Sequence, residues 1–219
     1  MLTVEGFFNL AVPALTTTLV VSAGSFVLAT LIGTFAGIAL VWGGRATRAC
    51  VRVYVEFVRG TSIYFQLFYI YFVLPALGIY LPPMLAGILA LGLNGAAYFA
   101  ETVRGCILAV PREQTEATIA LNLTLWQRIL HVILPQATVL AIPQMGNMAI
   151  EILKGSSLVS LVSLQEITFF ALTMRSHLGS SAVPLLSLLL VYYVMAKCLL
   201  FVFRKIEARM SRGLDKIGG

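Results

Sequence analysis

Polar and ionisable residues recur at helical spacing inside stretches that are otherwise apolar. Asn94, Tyr98 and Glu101 stand at i, i+4 and i+7, and Gln144, Asn147, Glu151 and Lys154 at i, i+3, i+7 and i+10, so each set makes one stripe along one helix. An ionisable group within a bilayer costs roughly 3 kcal/mol or more unless it is paired or faces water, which makes these residues candidates for a solute path. Face to face, the stripes would offer carboxylates to an ammonium and Lys154 to a carboxylate, the two ends of a zwitterion. The alternative is structural: Glu101 pairs with Arg104 and Glu151 with Lys154, each three residues on. Just after Lys154, Gly155, Ser156 and Ser157 interrupt the apolar pattern. Broken backbone at membrane depth is tolerated where it lines a cavity or packs in protein, so Ser156 and Ser157 join the candidate pathway; an ordinary turn at the outer surface is the other reading.

Other chemistry is scarce. Cys50, Cys106 and Cys198 are odd in number, lack metal-ligand spacing and read as free thiols. His131 and His177 have no partners at ligand spacing and read as a loop and a surface residue, and Glu56 as a residue of a helix entry or a subunit interface. No Ser/His/Asp, paired-carboxylate or metal constellation stands near a span end, which argues against a membrane-embedded enzyme. A Gly-rich run followed by Lys-Ser/Thr is also missing, so phosphate-binding machinery would have to sit on another chain.

The elements that must position the stripes follow from composition. Of 219 residues 59% are hydrophobic and 11% charged, where soluble domains carry about 25% charged. A crossing takes ~20 apolar residues. Apolar runs at 14–42, 62–79, 84–99, 137–150 and 183–203 predict five spans in a single transmembrane domain covering 1–219. A sixth run, 158–172, is short and carries Gln165 and Glu166, so it reads equally as a buried, partly inserted helix. No Lys or Arg precedes Arg45, so the first run lacks the basic flank of a signal peptide and is expected to be a retained span. Trp42, Tyr80, Tyr192 and Tyr193 read as interfacial anchors.

Charge sets the orientation. Arg45, Arg48, Arg52 and Arg59 follow the first span; Arg104, Arg112 and Arg128 lie in the central polar segment; Arg204, Lys205, Arg209, Arg212 and Lys216 form the tail. These are twelve of the 15 basic residues, and five crossings put all three groups on one face, the cytoplasmic one by the positive-inside rule. The N-terminus is thus expected outside and the C-terminus inside. The net charge of +6 is explained by lipid contact at span ends and implies no nucleic-acid partner.

Residues 110–136 are too polar and too long for a plain connector and read as a hairpin of two short helices. Pro111 suits a first helical position, Glu113 and Glu116 favour the first turns, and Ala117, Ala120 and Leu121 offer an apolar stripe. Asn122 ends that helix in a left-handed conformation. Thr124 with Gln127 signals a capping box for the next helix, where Leu125, Ile129 and Val132 recur at helical spacing until Pro135 stops or kinks it. Such a hairpin is either a docking element or one that lies in the lipid interface.

Glu116, Ala117, Asn122, Val132, Leu134 and Pro135 match in order and spacing the EAA loop of ABC importer permeases, with Thr118 for the second Ala and Asn122 for the Gly. YVEFVRGTSIYFQLFYIYFVLP from Tyr54, AAYFAETVRGCILAVPREQTEA from Ala96, and ILPQA through MGNMAIEILKGSSLVSL ending at Leu161 are similar to the polar amino acid (His/Glu/Gln/Arg/opine) branch of that family. The chain departs from the usual wording at Glu113, Gly155 and Ser156, and with IALNL at 119–123 resembles ectoine and hydroxyectoine permeases within the branch. The resemblance implies an all-α integral membrane protein of the type I importer permease kind, lodged in the bacterial inner membrane. Glu113, Glu116, Ala117, Asn122 and Leu123 would then couple to an ATP-binding subunit. The implied partners are that subunit, a second permease subunit, identical or paralogous, and an extracytoplasmic solute-binding protein. The implied solute is a polar amino acid or an ectoine-like compound. This chain would bind no cofactor, with ATP and Mg on the partner. A small ion-coupled secondary transporter or channel is the rival, but its usual internal repeats are missing and it has no need of a docking hairpin.

Overall fold

The computed structural model describes residues 4–179 and 181–215, and none of these lies in a strand. Four helices are long and apolar enough to cross a membrane, and a fifth crossing follows if one bent pair counts as a single span. Helices α1 (Val4–Trp42) and α4 (Pro83–Leu108) pack along each other. In lipid, close backbone approach holds such a pair together, and that needs small residues at the seam. A Cβ at Gly37 would lie 2.7 Å from the Ala100 carbonyl oxygen and 2.6 Å from Val103 Cβ. At Gly33, one turn earlier, a Cβ would lie 2.9 Å from the Ala96 carbonyl oxygen and from Phe99 Cβ.

Helix α2 (Arg45–Gly60) is amphipathic. Arg45, Arg48, Arg52, Glu56 and Arg59 are exposed, while Val55 and Val58 are buried with Ala36, Leu40, Ala97 and Ala100. The Tyr54 hydroxyl donates to the Leu93 carbonyl at 2.6 Å. After Thr61 and Ser62 the chain turns by 105° into α3 (Ile63–Phe68), which continues as a π turn (Tyr69–Val73) and a 3-10 turn (Leu74–Leu77). The run 62–79 was expected to form a span of its own. It does not form a regular helix of that length, because Pro75 has no N–H to continue the ladder and Gly78 turns left-handed at φ 83°. Joined to α2 across the bend, it reaches the length and apolarity of a span.

Helices α5 (Arg112–Ala120) and α6 (Leu125–Arg128) form the hairpin, and a π turn (Ile129–Ile133) joins α6 to α7 (Leu134–Gly155) without a break. Pro135, expected to stop or kink the chain, sits in the first turn of α7. The Leu134 N–H reaches back to the Ile129 carbonyl, and this wider turn makes room for the proline ring. Beyond Gly155 the helix tightens into a 3-10 stretch (Ser156–Val162), and Ser163 turns left-handed at φ 62°.

The sixth run therefore splits, and α8 (Ile167–Leu178), at 12 residues, is too short to cross. Glu166, only 1% exposed, caps α8 by accepting from the Phe169 N–H at 3.0 Å. It also accepts from the Tyr192 hydroxyl at 3.1 Å and the Thr18 hydroxyl at 3.4 Å, so this buried acid is hydrogen-bonded from three elements. Tyr192, read from sequence as an interfacial anchor, turns inward into that network. Helix α9 (Ala182–Asp215) packs on α7, with Phe203 against Gly146 and edge-on to Phe26 at 5.7 Å. Lys216 and the side chain of Arg212 lie outside the described residues.

Candidate functional site

α4 and α7 pack side by side in opposite directions. Ile107 and Val110 meet Ile133 and Ala137 at one end, Gly95 sits against Ile152, and Gly155 against Leu91 at the other. That register brings the two polar stripes to one place. A cavity of about 530 Å³ is lined by Asn94, Tyr98, Glu101 and Thr102 of α4, by Gln144, Asn147, Met148 and Glu151 of α7, and by Arg59 and Ile63 from the bend between α2 and α3. The volume falls within the range of small-molecule sites, about 300–1,000 Å³.

Each candidate has a definite place. Glu101 carries the ion pair foreseen as the structural alternative, its carboxylate accepting from Arg104 Nε at 2.9 Å. Glu151 is exposed to the cavity and forms no ion pair with Lys154; Arg104–Glu101 is the one salt bridge among the described residues. Lys154 lies one turn further along α7 and does not line the cavity. Ser156 is fully buried, donating to the Leu153 carbonyl at 2.7 Å beside the Tyr192 hydroxyl. Ser157 donates to the Lys154 carbonyl at 2.8 Å. Both hydroxyls thus serve the tightened end of α7, and neither lines the cavity.

Arg59 is the residue that sequence reasoning missed. It counted among the basic residues of a span end, yet its guanidinium lies over the Tyr98 ring at 5.2 Å from the centroid. The bend that delivers it is tied down by Gln66, whose amide donates to the Val58 carbonyl and the Thr61 hydroxyl, each at 2.8 Å. Gln66 in turn accepts from Asn94 Nδ2 at 3.1 Å. One clue lay in the sequence: Arg59 ends an amphipathic helix directly before Gly-Thr-Ser, a local break that turns its last side chain away from the helix it follows.

The hairpin is a second surface. The Leu123 N–H bonds to the Thr118 carbonyl at 3.0 Å and the Asn122 N–H to the Ile119 carbonyl at 2.9 Å, with Asn122 at φ 51°; together these make a Schellman closure of α5. Both halves of the Thr124–Gln127 capping box are formed. The inward residue of α5 is Thr118, 3% exposed. Ala117, Ala120 and Leu121, expected as its apolar stripe, face outward with Glu113, Glu116 and Asn122, while Leu123 is half-buried. Outward too are Trp126, 71% exposed, and Leu121, 72%. Exposed apolar side chains on a rigid, capped element suit the docking of a partner. His131 and His177 are exposed, and no cluster of metal ligands exists among the described residues.

Residues 29–212 match the family described as binding-protein-dependent transport system inner membrane component. The probable amino-acid ABC transporter permease protein y4tF of Sinorhizobium fredii is 43% identical over 166 residues, covering 73% of this chain and 70% of that one. The glutamine transport system permease protein GlnP of Escherichia coli is 33% identical over 184 residues, covering 83% and 84%. Among solved structures, an amino acid ABC transporter crystallised with histidines superposes with a TM-score of 0.86 at 29% identity, covering 94% of this chain and 96% of the other. The MetNI methionine ABC transporter, in an inward-facing conformation, shares the fold with a TM-score of 0.79 at 20% identity, covering 95% and 99%.

Proposed function

We propose, from the premise that this chain belongs to the family of binding-protein-dependent transport system inner membrane components, that the polar cavity between α4 and α7 is the route of an amino acid across the membrane. The chain is the permease component of an ABC importer, a multi-pass protein of the inner membrane, and the transport named for its relatives y4tF and GlnP supplies the solute class. The observation that carries the reading is the convergence of Asn94, Tyr98, Glu101, Asn147 and Glu151 on one half-open space between otherwise apolar helices. Lys154 stands at its outer end, where it meets a carboxylate first, and Ser156 and Ser157 hold the end of α7 in place.

Transport needs two further chains at least. An ATP-binding subunit with its Mg docks on the hairpin through Glu113, Glu116, Ala117, Asn122 and Leu123, and a solute-binding protein delivers cargo from outside. A second permease subunit, identical or paralogous, completes the membrane part. Closure of the ATPase pushes the hairpin, and α6, continuous with α7 through the π turn, passes that movement to the wall that carries Asn147 and Glu151. A polar amino acid fits the lining, and ectoine, another zwitterion, fits the same charges.

The double change Glu151→Gln with Lys154→Met removes one charge of each sign, so the net charge is kept, and tests the route. In proteoliposomes holding the assembled transporter and its binding protein, uptake is expected to fall at least ~10-fold, the cost of one lost charge-assisted contact. Assembly and binding-protein-stimulated ATPase activity stay intact. Uptake at the wild-type rate would show that the route lies elsewhere.

A further inference from the structure

We propose that Arg59 anchors the carboxylate of a zwitterion whose remaining side chain is uncharged, with Glu151 of the facing α7 wall taking the ammonium. The inference rests on the reading of the cavity as the solute route and names the solute's charge class. Three ionisable residues line the space, Arg59, Glu101 and Glu151. Glu101 is already committed to Arg104. What remains is one guanidinium and one carboxylate, the complement of a single carboxylate and a single ammonium. The rest of the polar lining is neutral, with Asn94 and Asn147 able to donate and accept. An acidic side chain would bring a second carboxylate into a space whose one free cation among the described residues is spent, and a cationic one would bring a second positive charge with one free carboxylate to meet both.

Arg59 is built for this role more than Lys154 is. Among the described residues its guanidinium makes no hydrogen bond or ion pair, only the face contact with Tyr98. A contact over the ring face uses up none of the N–H donors, and these are the donors that grip a carboxylate by two parallel bonds. The bend that carries it is held by Gln66, whose amide donates to the Thr61 hydroxyl and accepts from Asn94 across from it. A donor held in place before the solute arrives loses little on binding. Lys154 has no such brace.

The test is equilibrium binding to the purified complex of permease and ATP-binding subunits, without the binding protein, so that this chain's own selectivity is read. The probes are L-glutamine, L-serine, L-glutamate and L-lysine, and then the α-amide of the tightest one. A probe with an uncharged side chain is expected to bind at least ~10-fold tighter than L-glutamate or L-lysine, and amidation of its carboxyl to cost at least another ~10-fold. Arg59→Met then loses at least ~10-fold for the acid but stays within about twofold for the amide, because the same contact cannot be lost twice. Arg59→Lys, which keeps the charge and the fold, loses part of the acid's affinity and none of the amide's.

If Arg59→Met does not assemble, the Arg59→Lys pair of affinities decides in the same way. Equal losses for acid and amide would overturn the anchor, leaving Arg59 as a brace for Tyr98 and the route untouched. Tightest binding of L-glutamate or L-lysine would overturn the charge class. Binding of no probe by the wild type would overturn the route itself, and the anchor with it.

Discussion

Asn122 shows how a single residue carries a local rule. A left-handed conformation costs an ordinary L-residue about 1–2 kcal/mol, and Asn is tolerated because its short side chain bonds locally. Asn122 holds φ 51° at the point where α5 closes and α6 is about to begin. Asn122→Gly is expected to leave the hairpin and transport unchanged. Asn122→Val, which is β-branched, loosens the closure by about 1–2 kcal/mol, and limited proteolysis of the detergent-solubilised protein should then cut between residues 119 and 125 several-fold faster; equal cutting rates would show that the closure is held elsewhere. Glu166 illustrates the opposite case. Its sequence neighbourhood says only that an acid interrupts an apolar run, and nothing local reveals that Thr18 and Tyr192 come from distant helices to satisfy it.

Among the elements, the hairpin was legible and the bent pair was not. Proline, acidic first turn, left-handed Asn and capping box are all local signals, so they mark α5 and α6 before any packing is known. Which face of α5 points outward is a matter of tertiary contact, and there the apolar stripe of Ala117, Ala120 and Leu121 is exposed while Thr118 is buried. This outward face with Glu116 is the surface proposed above to meet the ATP-binding subunit. Glu116→Lys puts a reversed charge on an exposed position, so insertion and folding are retained while docking weakens by about 2 kcal/mol or more, roughly 30-fold in affinity. Binding-protein-stimulated ATPase activity and uptake should fall together. A purified variant with full stimulation would place the docking surface elsewhere. The run 62–79 misled because hydropathy counts apolar residues without regard to backbone: a π turn, Pro75 and Gly78 spend its length on turns.

On the scale of the whole molecule, the positive-inside rule predicts that the basic groups near Arg45, Arg112 and Arg204 face the cytoplasm. In a variant free of native thiols, Arg209→Cys should resist an impermeant thiol reagent in intact cells and react in inside-out vesicles. Tyr80→Cys, at a position 80% exposed between α3 and α4, should react from outside. The reverse pattern would invert the topology. Composition and periodicity by themselves determined the solvent, the helical class, the two polar stripes and the hairpin with its caps, because each follows from interactions within a few residues of chain. The tertiary structure alone decided that the stripes share one cavity, that Arg59 enters it while Lys154 stands past its end, and that Glu151 is left without the partner three residues away. Those outcomes depend on the register between α4 and α7, set by Gly95 against Ile152 and Gly155 against Leu91, and on the 105° turn after Gly60. Contacts between residues so far apart in the chain leave no periodic trace in the sequence, so only packing could settle them.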